Sequence, residues 1–140
     1  MTDSLAKVVI HVDGGARGNP GPAGIAAVAY DPGGEPLVER SEFIGEATNN
    51  VAEYRALLLG TRLAEELGAR ELELVGDSQL VVRQIGGQYK VKHARLKPLY
   101  LEAMLALARF ARWSIRDVRR EHNVRADELV NEAIDAGLAS

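Results

Sequence analysis

The segment VVIHVDGGARGNPGPAGIAAVAY, residues 8–30, carries the strongest indication of the architecture. It opens with residues 8–12, which are rich in β-branched side chains and predict a short buried strand. The glycines and prolines of residues 13–22 predict an irregular turn, and the apolar residues 25–30 predict a second strand. Because strands joined by a short connection pair in an antiparallel manner, we expect the chain to begin with a β-hairpin.

The remaining elements follow from changes in the hydrophobic period along the chain. Strands are predicted at residues 37–44, 72–75 and 113–118, and helices at residues 50–67, 78–85, 98–111 and 125–136. Gly68 and Gly137 are expected to end the first and last helices. The third helix carries Leu101, Leu105 and Ala108 on one stripe. Three strands followed by alternating helices and strands predict an α/β mixed sheet with helices packed on its faces.

Composition indicates a single domain spanning residues 1–140, with 46% hydrophobic and 26% charged residues. Cysteine is absent, which excludes disulfides, zinc–thiolate sites and cysteine nucleophiles. The sequence has no apolar run of membrane-spanning length. We therefore expect a cytoplasmic monomer that does not contact membranes. No Gly-rich segment ends in Gly-Lys-Ser/Thr, so no nucleotide cofactor is expected.

The net charge of -3 does not favour a nucleic-acid-binding protein, but the charges are unevenly distributed. Basic residues cluster in residues 90–97 and again in residues 112–125. Either cluster alone is also compatible with an ordinary solvated surface. Basic patches beside an acidic pocket would suit a phosphate polymer together with bound cations.

Four carboxylates stand at comparable places in the predicted elements. Asp13 ends the first strand, Asp77 follows the fourth strand, and Glu53 and Asp127 lie in the first turns of helices. Ligands of such sheets bind beyond the carboxyl ends of the strands, where helix N-termini also point. We therefore expect all four side chains to converge at one edge of the sheet.

Each acid also has a local interpretation that the sequence leaves open. Asp13 could be a turn residue, and Asp77 could cap the helix that begins at residue 78. Asn50 and Glu53 have the spacing of a reciprocal helix cap, and Asp127 could complement a helix dipole. None of these interpretations explains why all four acids occur at one edge.

A cluster of carboxylates needs cations. Two carboxylates about 4 Å apart repel by roughly 4 kcal/mol at an effective dielectric constant of about 20. The group must therefore raise its pKa values or bind positive ions. Oxygen ligands without histidine or cysteine select hard ions such as Mg²⁺ or Mn²⁺. Two such ions about 3.5–4 Å apart can activate a water and stabilise the leaving oxygen of a phosphodiester.

Four segments of the sequence carry a specific resemblance. IHVDGGARGNPGP (residues 10–22), TNNVAE (48–53), DSQ (77–79) and NVRADEL (123–129) resemble the four motifs of ribonuclease H type 1, in order and spacing, across nearly the whole chain. The resemblance implies the ribonuclease H-like fold, a five-stranded mixed sheet with its first three strands antiparallel and helices on both faces. It also implies an endonuclease that hydrolyses the RNA strand of RNA/DNA hybrids and leaves 5′-phosphate and 3′-hydroxyl products.

The same resemblance implies a catalytic role for each acid. Asp13 would bridge two Mg²⁺ ions, for which Mn²⁺ could substitute. Asp127 would hold the ion that carries the attacking water, while Glu53 and Asp77 would hold the ion at the leaving oxygen. The positions that match substrate-binding residues of the family are Gly14, Gly15, Asn19, Thr48, Asn49 and Gln79. For Thr48 and Asn49, ordinary helix entry is the alternative interpretation, and for Asn50 it is about equally favoured.

The chain departs from the family pattern at two places. Asp117 occupies the position where many members carry a histidine that assists proton transfer or product release. Arg120 and His122 are the candidates for that auxiliary role. The alternative for His122 is an exposed loop residue beside Asn123, which is expected to cap the last helix. The basic protrusion of some bacterial members is also missing, and only residues 90–97 remain of it. This pattern resembles the shorter archaeal and actinobacterial form, for which we expect weaker attraction of the substrate.

Three other functions compete with this interpretation. A junction resolvase or exonuclease of the same superfamily would share the acids, but residues 48–50 and the Gly-rich segment favour hybrid cleavage. A catalytically silent hybrid-binding module would gain nothing from concentrated negative charge beside phosphates. A purely structural α/β domain would show no effect of divalent ions on its thermal stability.

Overall fold

The structure, a computed structural model, describes residues 6–140. A five-stranded sheet with the strand order β3-β2-β1-β4-β5 forms its centre. The elements in chain order are β1 (Lys7–Ala16), β2 (Gly21–Tyr30), β3 (Pro36–Ala47), α1 (Asn49–Glu66), β4 (Glu71–Gly76), α2 (Gln79–Ile85), α3 (Leu96–Leu107), β5 (Arg112–Asp117), a 3₁₀ turn (Arg120–His122) and α4 (Val124–Ala139).

The sheet is mixed, as the sequence predicts. The β1–β2 and β2–β3 pairs are antiparallel, whereas β4 pairs in parallel with both β1 and β5. The prediction of a five-stranded sheet whose first three strands are antiparallel is therefore confirmed. Because β1, β4 and β5 run in the same direction, their carboxyl ends lie at one edge of the sheet.

Helices cover both faces of this sheet. Val8, Ile10 and Val12 alternate along β1 and pack into the larger apolar core with α1 and α3. Ala26 and Val28 of β2 point to the opposite face and form a smaller, separate apolar cluster with α4. The site described below lies where these two layers meet the carboxyl ends of β1 and β4.

The hairpin differs from the prediction in the extent of its strands. Residues 13–22 were expected to form an irregular turn, but β1 continues to Ala16 and β2 already begins at Gly21. Gly14 and Gly15 therefore pair with β2 within the sheet. Gly14 is required because α1 passes very close: a Cβ at this position would collide with the backbone carbonyl of Ala52.

The third helix begins and ends earlier than predicted. It starts at Leu96, so Pro98 lies in its first turn, where a backbone N–H has no intrahelical acceptor and proline is tolerated. The helix ends at Leu107, because Phe110 then turns into the core and the Ala111 N–H donates to a neighbouring segment at 2.8 Å.

The stripe of the third helix is also different from the predicted one. Leu101 and Leu105 are 60% and 70% exposed, whereas Ala103, Ala106 and Leu107 face the interior. The spacing of the two exposed leucines is compatible with a buried face, but the helix turns a different side, which also includes Leu96, towards the core.

The last helix passes through its predicted terminator. We expected it to end at Ala136 before Gly137, but it continues to Ala139. Gly137 is a packing residue, since a Cβ at this position would collide with the ring of Phe43 on β3. Within residues 6–140, none of the helices combines the length and the apolar character needed to cross a membrane.

Candidate active site

A solvent-open pocket of about 460 Å³ lies at the edge where β1 and β4 end. Its lining includes all four of the carboxylates singled out from the sequence. Polar groups of the glycine-rich end of β1, the start of α1 and the 3₁₀ turn complete the wall. The charged and amide side chains of the lining include Asp13, Glu53, Asp77, Asp127, Asn49 and Arg120.

Three of the four carboxylates form a compact cluster. One carboxylate oxygen from each of Asp13, Glu53 and Asp77 lies within 4.8 Å of the others. Asp127 lines the same pocket from α4 but does not belong to this group of three. The structure therefore brings all four to one pocket, as expected, and brings three of them within reach of a single ion.

Asp77 is not the N-cap of α2, which was the local role that the sequence left open for it. The helix that follows it is capped by Ser78, whose hydroxyl accepts a hydrogen bond from the Val81 N–H at 3.3 Å. The carboxylate of Asp77 is thereby left to face the pocket.

Glu53 does not take part in a reciprocal helix cap either. Thr48 caps α1 by accepting the Val51 N–H at 3.2 Å, so Asn50 lies inside the helix. The Glu53 carboxylate crosses instead to β1 and accepts the Gly14 N–H at 2.6 Å. The capping-box interpretation of Glu53 is therefore wrong, and the close approach of α1 to Gly14 is what aims this side chain into the cluster.

The electrostatics of the cluster oppose full ionisation. Burial, followed by the charges of Asp77 and Asp127, raises the pKa of Asp13 to about 8. Burial and the charge of Asp13 raise the pKa of Glu53 well above its ordinary value. Burial also raises the pKa of Asp77. A cation would remove this repulsion, and a donor set made only of oxygen atoms fits a hard divalent ion such as Mg²⁺.

Arg120 and His122 lie in different surroundings. The Arg120 guanidinium lines the pocket, and its charge lowers the pKa values of Asp13 and Asp77 against the larger effect of burial. His122 is exposed in the 3₁₀ turn and is not part of the pocket lining. Of the two auxiliary candidates, Arg120 is the one that lies beside the carboxylates.

Known proteins identify the family to which this site belongs. A family described as "Reverse transcriptase-like" matches residues 11–133. The ribonuclease HI of Halobacterium salinarum is 41% identical over 133 residues, which cover 95% of this chain and 67% of that protein. The chain belongs to the ribonuclease H family. The resemblance stated from the sequence and the predicted class of enzyme are thereby confirmed.

Two further relatives define how far the likeness extends. A bifunctional protein of Mycobacterium tuberculosis is 48% identical over 135 residues, 96% of this chain, and the chain spans 37% of the length of that relative. LC11-RNase H1, solved in complex with an RNA/DNA hybrid, superposes on this chain with a TM-score of 0.90 at 46% sequence identity. The matched region covers 94% of this chain and 99% of the LC11-RNase H1 chain. The ribonuclease H fold assignment thus rests on both sequence and structure.

The predicted substrate-binding residues of this ribonuclease H domain fall into two groups. Gly14, Gly15 and Asn49 line the pocket itself. Thr48 and Asn19 are not among the lining residues, and Gln79 lies exposed at the start of α2. The first group lies in the pocket beside the carboxylates, and the second group lies outside the pocket lining.

Two asparagines of these groups tie the hairpin connection to α1. The Asn19 Oδ1 accepts the Asn49 N–H at 3.0 Å, and the Asn49 Oδ1 accepts the Ala16 N–H at 2.8 Å. The sequence predicts that both residues bind substrate and does not indicate these two hydrogen bonds. They hold the end of β1 against the beginning of α1, which keeps Gly14 and Glu53 together.

Asn123 is a polar residue of the site whose importance the sequence does not reveal. The sequence predicts it as a helix cap beside His122. In the structure its buried side chain donates to the Val12 carbonyl at 2.9 Å and lies 3.3 Å from His11 Nδ1. An asparagine directly before a helix is ordinarily explained as an N-cap, so no pattern in the sequence could indicate this contact with the sheet.

Proposed function

We propose that this ribonuclease H domain is an endonuclease that hydrolyses the RNA strand of RNA/DNA hybrids and leaves 5′-phosphate and 3′-hydroxyl ends. The observation that carries the proposal is the cluster of Asp13, Glu53 and Asp77, whose oxygens lie within 4.8 Å of one another in an open pocket. The complex of LC11-RNase H1 with an RNA/DNA hybrid supports the choice of substrate, because that protein is 46% identical to this chain.

Asp13, Glu53, Asp77 and Asp127 would hold two Mg²⁺ ions, with Mn²⁺ as a substitute. When bound, such ions supply an activated water and stabilise the leaving oxygen of the phosphodiester. The raised pKa values of Asp13, Glu53 and Asp77 support this assignment, since ionisation of the cluster is costly without a cation.

Other groups of the chain prepare these carboxylates. The Gly14 N–H fixes one oxygen of Glu53, so the side chain is oriented before a ligand arrives. The positive charge of Arg120 favours the ionised forms of Asp13 and Asp77. Because a water attacks the phosphorus, no serine, cysteine or histidine nucleophile is needed. All four acids belong to one chain, so a monomer would suffice. The proposed reaction needs no nucleotide cofactor.

Recognition of the hybrid would fall to Gly14, Gly15, Asn19, Thr48, Asn49 and Gln79. The absence of a side chain at Gly15 lets the backbone of β1 come close to a sugar, and the 2′-hydroxyl is what distinguishes RNA from DNA. The bonds of Asn19 and Asn49 use their oxygens, which leaves the amide nitrogens as donors towards phosphates or bases.

The decisive experiment is a cleavage assay with three substrates, namely an RNA/DNA hybrid labelled on the RNA strand, a DNA duplex and a branched DNA. We expect internal cuts in the hybrid RNA with Mg²⁺, no cleavage with EDTA, and no cleavage of either DNA. Asp77→Asn should abolish the activity, whereas Glu102→Gln, which removes one exposed charge on α3, should not. Cleavage of branched or duplex DNA in place of the hybrid would contradict the proposal in favour of a resolvase or an exonuclease.

A further inference from the structure

The side chain of Asn123 joins three parts of the site that are distant in sequence. Its Nδ2 donates to the Val12 carbonyl at the end of β1. A hydrogen bond from the same amide lowers the pKa of Asp77, against the larger effect of burial. Its own backbone carbonyl accepts the Asp127 N–H at 3.1 Å. One residue thus contacts the elements that carry Asp13, Asp77 and Asp127.

In this arrangement Asn123 does not cap the helix that it precedes. Asn123 directly precedes α4, where its side chain would normally accept a hydrogen bond from the first turn. Within residues 6–140, no such side-chain bond caps α4. Losing such a cap destabilises a helix. The residue is instead buried against the sheet, with 2% of its surface exposed.

The Val12 carbonyl decides which way the carboxamide faces, and His11 binds its other end. Because the Val12 carbonyl is an acceptor, the Nδ2 of Asn123 must face it, and the Oδ1 must then face His11. The Nδ1 of His11 therefore carries a proton and donates to that oxygen. Tyr30 packs edge-on against the imidazole with ring centroids 5.0 Å apart, which restricts its rotation.

We propose that Asn123 is a positioning residue, a carboxamide held between the Val12 carbonyl and His11 that keeps the end of β1, Asp77 and the first turn of α4 at the separation that the metal-binding carboxylates require. This proposal rests on the proposed function for the role of those carboxylates. Asn123 acts through them and does not itself contact the substrate. Aspartate would not replace it, because a carboxylate would face both the Val12 carbonyl and Asp77.

The test uses Asn123→Ala, His11→Leu and His11→Gln, with Tyr30→Phe as the matched control. The last variant keeps the ring that packs on His11. Mn²⁺ binding to each metal-free protein is measured by calorimetry, kcat and KM are measured on the hybrid, and folding is followed by thermal unfolding. Groups that orient metal ligands typically contribute 10–100-fold to metal affinity or activity.

For Asn123→Ala we expect Mn²⁺ affinity and kcat to fall by about 10–100-fold, with KM for the hybrid nearly unchanged. His11→Leu should shift both quantities in the same direction by a smaller factor. His11→Gln, which retains an N–H donor, should restore them, and Tyr30→Phe should behave like the parent protein.

A purely structural role would lower the unfolding temperature without changing Mn²⁺ affinity, and that result in folded Asn123→Ala would overturn the proposal. If Asn123→Ala does not fold, His11→Leu decides, and wild-type affinity in that variant overturns it equally. If the parent protein binds Mn²⁺ but leaves the hybrid intact, the proposed function fails, while the Mn²⁺ affinities of the variants still decide the positioning role. Absence of Mn²⁺ binding to the parent protein would overturn both.

Discussion

Replacement of Asp13 by asparagine should abolish cleavage and at the same time make the metal-free protein more stable. Asp13 is 6% exposed, and burial together with the charges of Asp77 and Asp127 raises its pKa from 3.8 to about 8. In the unfolded chain this carboxyl group is ionised at neutral pH, whereas in the folded protein it must bind a proton. Folding therefore carries a cost that an asparagine, which cannot ionise, avoids.

The size and sign of this effect follow from the two pKa values. Because the folded pKa lies above the unfolded one, the stability contributed by the protonated group is fully present below about pH 4 and is lost as the pH rises towards 8. At pH 7 the unfolded group is roughly three units above its pKa, and each unit corresponds to about 1.4 kcal/mol, which sets an upper limit of about 4 kcal/mol. Since the pocket is open to water, we expect Asp13→Asn to gain about 2 kcal/mol at pH 7.

Urea unfolding in EDTA at pH 4, 5.5, 7 and 8.5 measures the difference directly. The free energy of unfolding of Asp13→Asn should match that of the parent protein near pH 4 and exceed it increasingly above. Glu102→Gln, which neutralises an exposed acid of α3, should show no such pH-dependent gain. A gain that is absent, or that is equal at pH 4 and pH 8.5, would refute the reasoning, and retained cleavage would refute the assignment of the site.

Gly14→Ala should lower the free energy of unfolding by about 3 kcal/mol or more, seen as a lower unfolding temperature, because its methyl group meets the Ala52 carbonyl. Gly15→Ala should cost much less, because the nearest neighbour of its methyl group would be a side-chain carbon at 3.8 Å. Mg²⁺ should raise the unfolding temperature of the parent protein, an effect that EDTA reverses, and a calorimetric scan without such a shift would speak for a purely structural domain. Arg120→Ala should move the lower limb of the pH–rate profile to higher pH, since the charge that lowers the pKa values of two carboxyl groups is lost, and His122→Ala should leave the profile in place. Lys92→Ala should weaken hybrid binding and reduce the slope of log affinity against log salt by about one, measured by fluorescence anisotropy, with an unchanged cleavage pattern.

The sequence predicts well whatever depends on local pattern. The five strands and the four helices follow from hydrophobic period, and the position of Asp13 and Asp77 at strand ends is enough to expect them at one edge of the sheet. The pocket shared by the four acids agrees with that expectation. The motifs add the family, because four short segments in register are far more specific than any one of them.

The sequence predicts poorly what depends on contacts across the fold. Gly14 and Gly137 are predicted from the sequence as a turn residue and a helix terminator, yet each lies inside a regular element. Glycine is needed at both positions because a neighbouring element passes too close for a Cβ atom. Leu101 and Leu105 have the spacing of a buried face but lie in solvent. Asn123 reads as a cap and binds the sheet. In each case the deciding partner is distant in sequence, so no local pattern records it.

The two unequal apolar layers have a thermodynamic consequence for the site. Asp13, Glu53 and Asp77 rest on elements of the larger core, whereas Asp127 belongs to α4, which packs on the small cluster around Val28 and Ile134. Partial unfolding that released this helix alone would remove the fourth carboxylate and leave the other three assembled. Mild denaturant should therefore extinguish turnover before the sheet itself melts, and amide hydrogens of α4 should exchange sooner than those of β1.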